Sequence, residues 1–74
     1  MKIKLKINDM EGMKNFVRAS EYNDSSVLVS KEGFKNVFDG SSLIAMLGLV
    51  SSDIVVSCET CSNELQQIFD TYTI

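Results

Sequence analysis

Residues 2–7 read Lys-Ile-Lys-Leu-Lys-Ile, a strict two-residue alternation of charged and apolar side chains. Side chains of a β-strand point to opposite faces in turn, so Ile3, Leu5 and Ile7 share one face and Lys2, Lys4 and Lys6 the other. A strand of this kind needs a core on one side and water on the other. That demand selects an antiparallel sheet with one covered face and sets the terms for the rest of the chain.

The elements that follow can supply the cover. Asn8 and Asp9 are helix-capping residue types, and Glu11, three residues after Asn8, resembles the return arm of a capping box. Met10, Met13, Phe16 and Val17 then recur at helical spacing, which predicts a helix over about 10–21 with Gly12 in its first turn. Asn23-Asp24-Ser25-Ser26 is a turn cluster and Val27-Leu28-Val29 is β-rich. Lys31-Glu32-Gly33 reads as a tight hairpin connection to a returning strand, Phe34 to Phe38. Asp39-Gly40-Ser41-Ser42 breaks that strand and offers a new cap for a short apolar helix of Leu43, Ile44, Met46 and Leu47. Ile54-Val55-Val56 forms a fourth strand. Beyond Cys58-Glu59-Thr60-Cys61, residues Leu65, Ile68, Phe69 and Tyr72 mark a last amphipathic helix. The predicted order is β-α-β-β-α-β-α in one α+β domain, residues 1–74. Its four-stranded, mainly antiparallel sheet carries all helices on one face.

Composition narrows the chemistry. The 74 residues include no histidine, which excludes Ser-His-Asp and Cys-His nucleophile pairs, histidine metal ligands and a phosphohistidine. Ten acidic against seven basic residues give a net charge of -3, and the cations are scattered apart from the Lys2–Lys4–Lys6 row. That balance disfavours nucleic acid, whose phosphates need a basic face. The longest uncharged stretch, Gly40 to Ser52, is shorter than the roughly 20 apolar residues a membrane helix needs. The alternating start lacks a signal-peptide pattern. The expectation is a non-membrane protein, and any catalytic site would have to rely on carboxylates, Lys, Tyr, Ser or the two cysteines.

Cys58-x-x-Cys61 stands between a strand and a helix, as thiol-redox pairs do, and makes a small redox or metal-binding module the rival function. A zinc site needs four ligands, and one pair supplies two. The plainer roles are a small apolar residue at a strand end and a thiol beside a helix cap. Residues three apart cannot staple distant segments, so a reduced setting is expected. Met10, Met13 and Met46 read as core or rim residues. Tyr22 and Tyr72 have no base or cation at recognisable spacing.

Two stretches, Asn15-Phe16-Val17-Arg18-Ala19 and Ser42-Leu43-Ile44-Ala45-Met46-Leu47-Gly48-Leu49, together with the element order, resemble the HPr family, the small phosphocarriers of the bacterial sugar phosphotransferase system. The resemblance covers essentially the whole chain and implies an open-faced β-sandwich. In that family a phosphorylated histidine caps the first helix, followed by an arginine and a proline. The implied register puts Asp9 at the histidine, Glu11 at the arginine and Gly12 at the proline, so phosphotransfer is expected to be lost. The resemblance makes Asp9 a fixed anion in place of the phosphoryl group; the residue type makes it an N-cap. Ser42 matches the family's regulatory serine, phosphorylated by a dedicated kinase in some bacteria, and is equally a capping serine. Leu43, Ile44, Met46 and Leu47 match the block that docks partner proteins. A paralogue class without the histidine but with the serine exists in the family. The function the resemblance implies is regulatory protein binding in the cytoplasm, non-enzymatic and with no cofactor; partner identity and oligomeric state stay open.

Overall fold

A computed structural model describes residues 2–74. The elements are β1 (Lys2–Lys6), α1 (Met10–Glu21), β2 (Leu28–Lys31), β3 (Val37–Asp39), α2 (Leu43–Leu47), β4 (Asp53–Ser57) and α3 (Asn63–Tyr72). The strands form one antiparallel sheet in the order β1-β4-β2-β3. The architecture is the α+β, HPr-like open-faced sandwich, with the helices on one face. No helix among the described residues is long and apolar enough to cross a membrane.

The alternation in β1 sets the layers. Leu5 and Ile7 are fully buried, as are Val29 on β2 and Ile54 on β4. From the helices come Met13, Phe16, Met46 and Leu65, also fully buried. Opposite residues of antiparallel strands share a face. The pairings Lys4↔Val55 and Ser30↔Val55 therefore place Lys4, Val55 and Ser30 together on the open side. There Lys4 pairs with Glu32 at 3.3 Å and Lys6 with Asp53 at 3.9 Å. Both pairs are solvated, so each contributes less than about 1 kcal/mol.

Three local expectations need correction. The turn after β2 is tight at Lys31-Glu32-Gly33, as expected, but the returning strand does not start at Phe34. Phe34 N–H donates to Lys31 C=O at 2.9 Å, and Gly33 sits at φ +85°, the third-position conformation of a type II turn. Such a turn twists against the strands it joins. Phe34 to Asn36 accordingly leave the ladder, and β3 shrinks to Val37–Asp39. Met10 is not a core residue; it is 55% exposed in the first turn of α1. The capping box does not form. Asp9, not Asn8, is the N-cap, and the residue three on is Gly12, which has no side chain to return the bond.

Candidate functional site

Asp9 holds extended backbone angles and ends the chain's run out of β1. One of its carboxylate oxygens accepts the Gly12 N–H. The other accepts the Tyr72 hydroxyl at 3.5 Å, from the last turn of α3. Gly12 makes this approach feasible: a Cβ there would stand 2.9 Å from the Tyr72 ring and 3.0 Å from the Asp9 carboxylate. The backbone just before Asp9 is also engaged. Ser51 N–H donates to Ile7 C=O at 2.8 Å and its hydroxyl to Asn8 C=O at 3.5 Å, with Ser51 held at φ +66°. The mouth of α1 is thus tied to α3 and to the turn after α2.

The electrostatics match that picture. Asp9 and Glu11 both stand at the start of α1, where the helix dipole favours negative charge by about 0.3–1 kcal/mol. The Tyr72 hydroxyl is pushed above its ordinary value of 10.0, first by burial and then by the Asp9 charge and hydrogen bond. Glu11 is exposed. Two carboxylates at this mouth oppose a further anion instead of holding one.

Ser42 is the N-cap of α2; its hydroxyl accepts the Ala45 N–H at 3.5 Å, the limit of a hydrogen bond. The turn before it is built by Asp39, whose carboxylate accepts the Ser41 N–H at 2.9 Å and the Ser41 hydroxyl at 2.7 Å. Those two bonds hold the Asp39 carboxyl below its ordinary 3.8. Past Ser42 the four apolar candidates divide. Ile44 is 88% exposed and Leu43 42%, Leu47 is half-buried, and Met46 is fully buried. Met46 therefore belongs to the core and not to a docking surface. Leu43 also lines a shallow groove of about 270 Å³ with Lys14, Val17, Arg18, Glu21 and Tyr22 of the α1 end. Tyr22 is 79% exposed there, a contributor that helical periodicity alone does not reveal.

Cys58 and Cys61 are joined as a disulfide, against the expected free thiols. Cys58 is buried and Cys61 half-buried. The loop they close is held from the α1–β2 connection. Asn23 donates to Thr60 C=O at 2.7 Å and accepts from Ser62 N–H at 2.9 Å, while the Ser25 hydroxyl donates to Thr60 C=O at 2.9 Å. The turn cluster read from the sequence is thus a clamp on a segment 35–39 residues away. Among the described residues, no three His, Cys, Asp or Glu side chains gather where a metal ion could be held.

No family model matches the chain, and no curated protein matches it significantly.

Proposed function

We propose that this chain is an HPr-like module of the sugar phosphotransferase lineage that has lost histidine phosphotransfer and acts in the cytoplasm by binding another protein, without catalysis of its own. The observation that carries the proposal is the exposure of Ile44 and Leu43 on α2, directly after the Ser42 cap and beside Tyr22. Exposed branched aliphatic side chains on a helix fixed to the core by Met46 supply a rigid apolar contact at little ordering cost. Asp9 stands at the register of the family's histidine and is already engaged by Gly12 and Tyr72, which supports a structural use of that position. Ser42 is the position for regulation by phosphorylation.

Three measurements test this reading. Incubation with phosphoenolpyruvate and the general phosphotransferase enzyme is expected to leave the protein unlabelled; a phosphorylated product contradicts the loss of transfer. Incubation with the family's serine kinase and ATP is expected to add one phosphate at Ser42 by mass spectrometry, and an unmodified Ser42 ends the regulatory part. Affinity capture of phosphotransferase-system proteins is expected to fail for Ile44→Glu and to change for Ser42→Asp. The same captured set for wild type and Ile44→Glu removes the docking surface.

The disulfide favours a second reading, a thiol-redox module at Cys58 and Cys61. In the cytoplasm such a bond is normally reduced. The fold tolerates reduction, because a loop this short adds only about 2 kcal/mol by chain entropy. A bond potential below about -300 mV marks a structural disulfide and sinks the redox reading.

A further inference from the structure

The two edges of the sheet are finished differently. The outer edge of β1 is covered: Leu5 forms a bridge with Thr73, and Ile74 N–H donates to Lys4 C=O at 3.3 Å. The outer edge of β3 carries no such cover among the described residues, and all three β3 residues are exposed. A bare edge presents unpaired N–H and C=O groups to any strand that can match them.

The direction of those groups follows from the ladder. Gly40 N–H donates to Val27 C=O, so Val27 and Gly40 form a hydrogen-bonded pair. Hydrogen-bonded and non-bonded pairs alternate along an antiparallel ladder. Val29↔Phe38 is then the next bonded pair, and Leu28↔Asp39 and Ser30↔Val37 are non-bonded. The backbone N–H and C=O of Val37 and the N–H of Asp39 consequently point away from β2, while the Asp39 C=O accepts the Ser42 N–H at 3.0 Å.

We propose that this edge pairs with the same edge of a second copy, antiparallel about Val37, to give a dimer with one continuous eight-stranded sheet. The sequence is self-complementary about that point. Val37 meets Val37 of the second copy and exchanges both backbone bonds with it. If pairing with the second copy extends the strand back from Val37 to Lys35, Lys35 comes opposite Asp39 of the second copy and Asp39 opposite its Lys35, so each junction joins opposite charges on one face. Phe34 is 62% exposed in the monomer, with the Lys31 ammonium 5.0 Å from the ring centre. On the open face, Val37 lines a hollow of about 220 Å³ with Leu28 and Val55. Pairing about Val37 sets the two hollows, each also lined by Lys2, Ser30 and Ser57, on the same face across the junction.

A three-residue edge makes a small interface, so the dimer is weak, with a dissociation constant of about 100 μM. Sedimentation equilibrium of the whole chain from about 10 μM to about 1 mM reads it directly. Val37→Pro removes only an outward N–H and spares the β2 ladder; it is expected to weaken dimerisation at least about tenfold. Lys35→Glu and Asp39→Lys are each expected to weaken self-association about tenfold, because each places like charges opposite one another. An equimolar mixture of those two variants restores opposite charges at both junctions and is expected to dimerise as wild type does. Circular dichroism of every variant confirms that it is folded. Wild type that stays monomeric at about 1 mM overturns the proposal. So does a dimer indifferent to both Val37→Pro and Lys35→Glu, whose interface lies elsewhere. A mixture of folded variants that fails to dimerise overturns the register.

Discussion

The starts of α1 and α2 use the same device and end in opposite surroundings. Each is capped by a short polar side chain accepting the N–H three residues on, Asp9 from Gly12 and Ser42 from Ala45. At α1 the cap is gripped from outside the helix as well, by Tyr72 from α3, while Ser51 fixes the backbone just before it. At α2 the residues after the cap are Leu43 and Ile44, both open to solvent. A capping residue therefore does not tell a joint from a docking surface. What decides is whether another element packs over it, and that partner comes from far along the chain.

The sharpest way to break the comparison is inside α2. Met46→Ala is expected to cost about 2–5 kcal/mol, because it empties a site of full burial. Ile44→Ala, two residues away, is expected to change stability by no more than about 0.5 kcal/mol. Urea denaturation of both variants measures the difference. If Ile44→Ala costs as much as Met46→Ala, Ile44 is a core residue and α2 offers no apolar contact to a partner.

The caps themselves come next. Asp9→Ala is expected to cost about 1–2 kcal/mol, since it removes the Gly12 acceptor and the Tyr72 partner together. Ser42→Ala is expected to fall near the lower limit for a cap, about 0.5 kcal/mol, because its bond is already 3.5 Å long. Equal costs would mean that Tyr72 adds nothing at α1, and the contrast between joint and surface would reduce to one of exposure.

The sequence carried the architecture better than the neighbourhoods. The Lys-Ile alternation in β1 and the Met13–Phe16–Val17 spacing in α1 are local periodic signals, and the helix runs Met10–Glu21, as that spacing predicts. In α2 every residue is apolar, so no period distinguishes a buried Met46 from an exposed Ile44. The returning strand failed after Gly33, where one positive φ chose a turn that splays the strands. Tyr72 meets Asp9 across 63 residues, and Asn23 clamps Thr60 and Ser62 across 37 and 39. Contacts of that range depend on how α3 packs, which spacing within either segment does not encode. The cysteine pair was visible as a motif; its joining depends on the turn between β4 and α3.

At the α2 entrance, acid is the probe. Hydrogen bonds from Ser41 hold the Asp39 carboxyl below 3.8, so the folded state favours its charged form. That contribution is complete above 3.8 and is lost as pH falls through the lower folded value. The effect is small because Asp39 is exposed and screened. Asp39→Asn is expected to flatten that part of the stability profile. An unchanged acid slope would place the Ser41 bonds outside the folded ensemble and leave the Ser42 cap without its preceding turn.

At the α1 mouth the probe is alkali, and the sign is reversed. Burial and the Asp9 charge favour the neutral phenol of Tyr72 in the folded state, so its folded value stands above 10.0. Its contribution is complete below 10.0 and is lost as pH rises through the folded value. Phenolate absorbance in a Tyr22→Phe background isolates Tyr72, and its midpoint is expected above 10.0. Adding Asp9→Asn removes the second-largest cause and is expected to lower that midpoint, while Glu11→Gln, whose carboxyl is not among the causes, is expected to leave it in place. A midpoint that ignores Asp9→Asn would separate α3 from the α1 cap. Asp9 would then be a free carboxylate at an open helix start, and the two starts would no longer differ in kind.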